Sequence, residues 1–219
     1  EIIEVMSRGC YKSFDVGLNP NITRVRKENR AHLENILKSG HGSVLEHGWA
    51  SFMFTGISRV VSHELVRHRV GVAISQESLR FVRLTDLGQW IPSCFSPNPK
   101  AVEIFKRAFE QAEENYQALL SEDVIGVGIN QLPFSAKKEL TSAARRVAPI
   151  GLATSIGWSC NMRTLRAVIE ARTAPSAEEE IRLLFGKVAK IAVDRWPNLF
   201  GDYTVEDVNG LPHYKTENR

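Results

Sequence analysis

The chain has 219 residues, enough to bury a substantial core as one domain and too few for two full ones. Its 43% hydrophobic and 24% charged residues exclude a disordered chain, and a net charge of only +3 argues against a nucleic-acid-binding module. Cys10, Cys94 and Cys160 lie far apart with no CxxC pair, which argues against a disulfide framework and a thiolate zinc site and makes a reducing, cytoplasmic setting the default. No apolar run reaches the roughly 20 residues of a membrane span, and no charged-then-apolar leader opens the chain.

In chain order, Ile22, Val25, Leu33, Ile36 and Leu37 predict a helix over 22–39 that stops at Gly40. Trp49 to Thr55 alternates as a strand, with Trp49, Ser51, Met53 and Thr55 on one side and Ala50, Phe52 and Phe54 on the other, ended by Gly56. Ser58 is a candidate N-cap for a helix toward Arg67 with Val60, Val61 and Leu65 inward, after which Val70-Gly71-Val72 breaks the pattern. Leu79 to Leu84 reads as a short strand, and Pro92 to Pro99 as a loop leading into a long helix to Leu120 with Ala101, Phe105, Ala108, Ala112, Tyr116 and Leu119 as its stripe.

A helix over Ser135–Val147, an extended stretch over Leu152–Trp158 and a helix capped by Asn161 and reaching Arg172 follow. The last helix has Ser176 and Glu179 at capping-box spacing, then Ile181, Leu184, Phe185, Val188, Ile191 and Ala192 as core, up to Pro197. The tail after Phe200 shows no readable pattern. With no repeat or linker, the chain reads as a single α+β domain, residues 1–219, with a helical flank over 99–147.

Two motifs fail on geometry. His63-Glu64 followed by His68 resembles a zinc-protease helix, but a spacing of five turns the second histidine roughly 140° away from the first, so no metal is expected. Gly126-Val127-Gly128 lacks the rest of a dinucleotide fingerprint and reads as a turn.

The arginines are gathered in two groups, Arg59, Arg67, Arg69, Arg80 and Arg83, and Arg145, Arg146, Arg163, Arg166 and Arg172. Because guanidinium grips phosphate bidentately, two such groups point to an anionic ligand. Histidines join them in His41-Gly42-Ser43-Val44-Leu45-Glu46-His47 and in Arg67-His68-Arg69, followed by Ser75-Gln76-Glu77-Ser78-Leu79-Arg80. Such a concentration fits a ligand with phosphates and a hydrogen-bonding ring.

Here the sequence resembles the flavin-dependent thymidylate synthases, whose signature is RHR, a short spacer, then a serine with an arginine two residues on. Arg67-His68-Arg69 and Ser78-Leu79-Arg80 match its halves. Ser13-Phe14-Asp15, His41 to His47, Trp90-Ile91-Pro92-Ser93, Ala144 to Pro149 and Asn161-Met162-Arg163-Thr164-Leu165 are similar to further family segments in the same order.

The resemblance implies an α+β fold with a mixed or antiparallel sheet flanked by long helices, a homotetramer with FAD bound across subunits, and conversion of dUMP to dTMP. Methylene-tetrahydrofolate is the implied carbon donor, NADPH the implied reductant, and no cysteine nucleophile is needed. By matched position, Ser43, Arg67, His68, Arg69, Asn161 and Arg163 are implied to hold FAD, His41 to contact flavin or folate, and Glu64, Arg67, Ser78, Leu79, Arg80, Arg145 and Arg172 to hold dUMP. Arg172 and His68 are the implied catalytic pair, Arg172 stabilising charge on the pyrimidine and His68 contacting the flavin.

The chain departs from the family pattern in four places. The spacer Val70 to Glu77 has eight residues where seven is usual, which predicts a longer loop over the nucleotide. Glu64 replaces a usual glutamine, Ala167 an asparagine and Ser176 a histidine. A carboxylate at Glu64 accepts hydrogen bonds where an amide also donates, so a cytosine nucleotide such as dCMP is the alternative substrate.

Overall fold

A computed structural model describes residues 1–14, 17–80 and 88–218. Asp15 of the Ser13-Phe14-Asp15 match, Arg83 and positions 81–84 of the expected Leu79–Leu84 strand lie outside the described residues, while Leu79 and Arg80 form a turn.

The chain begins with α1 (Ile2–Tyr11) and α2 (Asn29–Lys38), then β1 (Trp49–Ser58), α3 (Arg59–Leu65) and β2 (Val72–Gln76). The helix expected over 22–39 starts only at Asn29, since β-branched Ile22, Thr23 and Val25 favour extended backbone. β1 shows the expected alternation, with Ala50 and Phe54 buried and Trp49 and Met53 exposed, and it runs past Gly56 to Ser58. Ser58 caps α3 as expected, its hydroxyl accepting from the Val61 N–H at 3.3 Å.

Next come α4 (Pro99–Leu119), α5 (Glu122–Ile125), α6 (Phe134–Ala144) with a 3₁₀ turn over Arg145–Val147, and β3 (Ala153–Asn161). Asn98 caps α4 through the Lys100 and Ala101 N–H groups, and Pro99 supplies the preset first-turn φ. Its buried residues are Phe109, Ala112 and Tyr116, so the stripe turns toward Phe109 and leaves Ala108 and Leu119 exposed.

The chain closes with α7 (Met162–Thr173), α8 (Glu179–Arg195), α9 (Pro197–Phe200) and the antiparallel hairpin β4 (Thr204–Val208) and β5 (Leu211–Lys215). Asn161 caps α7, and the helix ends just before Ala174, which precedes Pro175 and is extended. α8 is capped by Glu178 in place of the expected Ser176, its carboxylate accepting from the Glu180 N–H. Asn209 and Gly210 turn the hairpin with φ of 58° and 76°, the two positive values that a tight two-residue hairpin loop needs.

β1, β3 and β2 form a three-stranded sheet in that order. Helices with two small sheets make a mixed helix-and-strand chain, compatible with the α+β class.

The described chain divides into two compact units, a first of Glu1–Phe52, His68–Ala73 and Trp158–Arg219 and a second of Met53–Arg67 and Ile74–Gly157. In the first, α7 and α8 bury Leu165, Val168, Ile169, Ile181, Phe185 and Val188, and Trp158 meets Phe185 edge-on with centroids 5.7 Å apart. Each such aliphatic side chain contributes about 1.5–3 kcal/mol by leaving water. In the second, Leu79, Phe109, Tyr116, Ala144 and Leu152 form the core cluster. Among the described residues, no helix is long and apolar enough to cross a membrane.

Candidate functional site

The site residues read from the sequence fall into two sets, one in each unit. His41, Ser43, His68, Arg69, Asn161, Arg163 and Arg172 belong to the first unit, and Glu64, Arg67, Ser78, Leu79, Arg80 and Arg145 to the second.

In the first unit the junction of β3 and α7 is the anchor. Asn161 is buried, its Oδ1 accepts the Thr164 N–H at 2.8 Å, and its own N–H donates to the Gly71 carbonyl at 2.9 Å. The Thr164 hydroxyl donates to the Val70 carbonyl at 2.8 Å. Gly71 has φ of 65°, and a Cβ there would stand 2.2 Å from Asn161 Nδ2, so this approach needs glycine. Two backbone carbonyls are thereby pinned immediately after His68 and Arg69.

His68, half-buried, accepts a hydrogen bond from Arg172 Nε to its Nε2 at 2.8 Å. An imidazole nitrogen that accepts is unprotonated, which places the remaining ring proton on Nδ1. Burial, and then the Arg172 cation, hold the His68 pKa below its usual 6.5. Because the folded value is depressed, the unfolded chain takes up a proton first as pH falls through 6.5, and stability declines toward the folded value. Urea midpoints between pH 7.5 and 5 are therefore expected to fall more in the wild type than in His68→Gln; parallel curves would remove this contribution.

Farther along, Arg163 Nη1 pairs with Glu46 Oε1 at 2.7 Å, and a Cβ on Gly42 would lie 2.9 Å from Arg163 Nε. The Gly42 backbone therefore packs against the guanidinium and brings the His41–Ser43 segment beside it. His41 is hydrogen-bonded through Nδ1 to the Tyr11 hydroxyl, and Ser43, Arg69 and Arg163 are exposed. Glu46 carries a sequence signal only as a member of the His41–His47 segment, and Tyr11 carries none. Thr164 was detectable only as part of the Asn161 segment.

In the second unit, Ser78 Oγ accepts from the Arg80 N–H at 3.4 Å and from Arg80 Nε at 3.3 Å. The Thr141 hydroxyl donates to the Arg80 carbonyl at 3.2 Å. Leu79 is buried in the core cluster, so contact with a ligand falls to its backbone rather than its side chain. Glu64 is half-buried on α3, Arg67 is exposed just beyond that helix, and Arg145 is half-buried in the 3₁₀ turn after α6.

The eight-residue spacer is not the long loop expected. Val72 to Gln76 is β2, and Val70 and Gly71 form the turn held by Thr164 and Asn161. Nor is every clustered arginine available to a ligand. Arg166 is buried and bound to Asp202 through two hydrogen bonds of 2.8 and 2.7 Å, which makes it structural. Among the described residues no group of histidine, cysteine and acidic side chains is placed to hold a metal ion.

The first unit thus holds a half-buried histidine against an arginine and presents the exposed guanidinium groups of Arg69 and Arg163, donors chemically suited to an anionic ligand. The family model for the thymidylate synthase complementing protein matches residues 1–198. The flavin-dependent thymidylate synthase of Corynebacterium glutamicum is 34% identical over 207 residues, 94% of this chain and 80% of that protein. The proteins of that name from Mycobacteroides abscessus and Mycolicibacterium vanbaalenii are 32% and 33% identical, each over 93% of this chain and 79% of their own length. The chain belongs to the thymidylate synthase complementing protein family, that of the flavin-dependent thymidylate synthases.

Proposed function

We propose that this chain is a flavin-dependent thymidylate synthase that binds FAD and methylates dUMP to dTMP, with methylene-tetrahydrofolate as carbon donor and NADPH as reductant. It acts as one domain spanning 1–219 with the flavin-dependent thymidylate synthase fold, in a cytoplasmic homotetramer. The observation that carries the reading is the His68–Arg172 hydrogen bond beside the Asn161–Gly71 anchor, which joins matched cofactor and substrate positions within one unit.

The residues present fit a flavin dinucleotide. Glycine at 71 and at 42 lets backbone approach Asn161 and Arg163 more closely than a Cβ allows, and Arg69 and Arg163 offer guanidinium donors for a pyrophosphate. His41, Ser43, Arg67 and His68 complete the set proposed to hold it. Bound there, the flavin supplies the redox chemistry of the transfer.

On the nucleotide side, Arg80 and Arg145 grip the phosphate, Ser78 and the Leu79 backbone line its turn, and Glu64 and Arg67 orient the base. Arg172, held by His68, places positive charge where negative charge develops on the pyrimidine. A cysteine nucleophile is not called for, and Cys160 is unsuited to that role, since burial pushes its thiol up to about 12.

The first test is the visible spectrum of the purified protein with added FAD, before and after dUMP. A bound-flavin spectrum that shifts with dUMP is expected; absence of flavin binding under both conditions would defeat the reading.

A further inference from the structure

Arg59 stands outside every matched family segment, yet it is tied to the turn that carries Ser78 and Arg80. It opens α3, its N–H donates to the Leu152 carbonyl at 3.0 Å, and its Nη2 donates to the Glu77 carbonyl at 3.2 Å. The Arg59 carbonyl accepts the Ser62 hydroxyl at 3.0 Å, and Ser62 Oγ in turn accepts from Gln76 Nε2 at 3.1 Å. Arg59 Nε is buried, with no hydrogen-bond partner among the described residues.

Glu77 is fixed from its other side as well. Its N–H donates to the Ser155 carbonyl at 2.9 Å, and its Oε2 accepts the Ser155 N–H at 3.2 Å. Ser78 follows directly, so the start of the Ser78-Leu79-Arg80 turn is set by this clamp. Its end is set by Thr141 on the Arg80 carbonyl and by the buried Leu79 side chain.

The charges around Arg59 do not cancel. The guanidinium is partly buried, attracted by Glu77 and repelled by Arg145, and burial dominates in disfavouring its charge. Among the described residues, two guanidinium groups, Arg59 and Arg145, face one carboxylate, Glu77, and an anion relieves such a positive excess.

We propose that Arg59 is a positioning residue for the nucleotide phosphate. It holds the Ser78–Arg80 turn through the Glu77 carbonyl and adds a cation to those of Arg80 and Arg145. Glu77 is its internal counter-charge when no phosphate is bound. The proposal rests on the second unit's residues binding the nucleotide, as set out above.

Dissociation constants for dUMP and for deoxyuridine, which lacks the phosphate, test it in the wild type, Arg59→Lys, Arg59→Met and Glu77→Gln, with melting temperatures alongside. Arg59→Lys keeps the charge and loses the planar fork, and is expected to weaken dUMP about ten-fold, Arg59→Met more, as for loss of a charge-assisted hydrogen bond. Deoxyuridine affinity is expected to stay within about two-fold, because the contact serves the phosphate. Glu77→Gln keeps the carbonyl clamp, removes the competing charge and is expected to tighten dUMP.

Arg59 variants that bind dUMP like the wild type, or that lose dUMP and deoxyuridine equally, overturn the proposal. If Arg59→Met does not fold, the lysine variant decides by the same ratio. A wild type that binds no dUMP instead defeats the functional reading and takes this proposal with it.

Discussion

Arg172→Lys is expected to lower dTMP formation by about 10²- to 10³-fold, the usual cost of losing a preorganised donor to developing charge. Lysine keeps the positive charge but loses the planar guanidinium, whose Nε reaches His68 Nε2 at 2.8 Å. Because α7 continues through this position and Arg172 is half-buried, the variant should fold and should retain bound flavin. Single-turnover dTMP formation at saturating dUMP measures the effect. Wild-type turnover in Arg172→Lys would show that Arg172 does not carry the charge of the transition state.

The second large effect is on stability. Asp202→Ala is expected to destabilise the chain by about 3–5 kcal/mol, because it leaves a buried guanidinium without its counter-charge. The Arg166 side chain is 5% exposed and pairs with Asp202 at 2.7 Å, and it lies over the Tyr203 ring at 5.0 Å. Asp202 also accepts from Thr216 at 2.7 Å and Asn218 at 2.9 Å. Burial alone would raise the Asp202 pKa, but the hydrogen bonds from Arg166, Asn218 and Thr216 hold it at about 2.

The pH dependence of that contribution has a definite sign. Asp202 has a depressed folded pKa, so its contribution is full above the ordinary 3.8 and is lost as pH falls toward about 2. Urea unfolding at neutral pH tests the 3–5 kcal/mol loss, and a double variant Arg166→Met with Asp202→Ala should recover most of it. Near-wild-type stability of Asp202→Ala alone would contradict the account.

Much of the helical fold was legible because its signals are local. Ser58 and Asn161 announce their caps, Pro99 opens α4, and Ile181, Phe185, Val188 and Ala192 recur on the buried face of α8. The missed elements lack such repetition. β2 is five residues with only its two ends partly buried, and α1 buries just Ile3 and Ser7. The terminal hairpin did carry a signal, Asn209-Gly210, but Thr204–Val208 exposes four of five residues and shows no inward face. Ser176 gave way to Glu178 because a carboxylate nearer the helix start supplies the same acceptor.

The site was legible as motifs but not as partnerships. Arg67-His68-Arg69 and Asn161-Met162-Arg163 supply candidate residues, whereas the hydrogen bond from Arg172 to His68 joins positions 104 apart. Local clustering could not separate Arg166, whose buried partner Asp202 is 36 residues on, from arginines left for a ligand. Arg59 stands in the first arginine group, but its bond to the Glu77 carbonyl, and the bond of Glu77 to Ser155, exist only after folding. Leu79 was matched to a ligand position, yet its side chain fills the core.

The proposed activity is conversion of dUMP to dTMP with a flavin. Its most direct test is product formation by the purified protein supplied with FAD, dUMP, methylene-tetrahydrofolate and NADPH, with each component omitted in turn. The expected result is dTMP in the complete mixture and none when dUMP, methylene-tetrahydrofolate or NADPH is missing, or when flavin-free protein is given no FAD. No dTMP in the complete mixture, from protein shown to be folded and loaded with flavin, would contradict it.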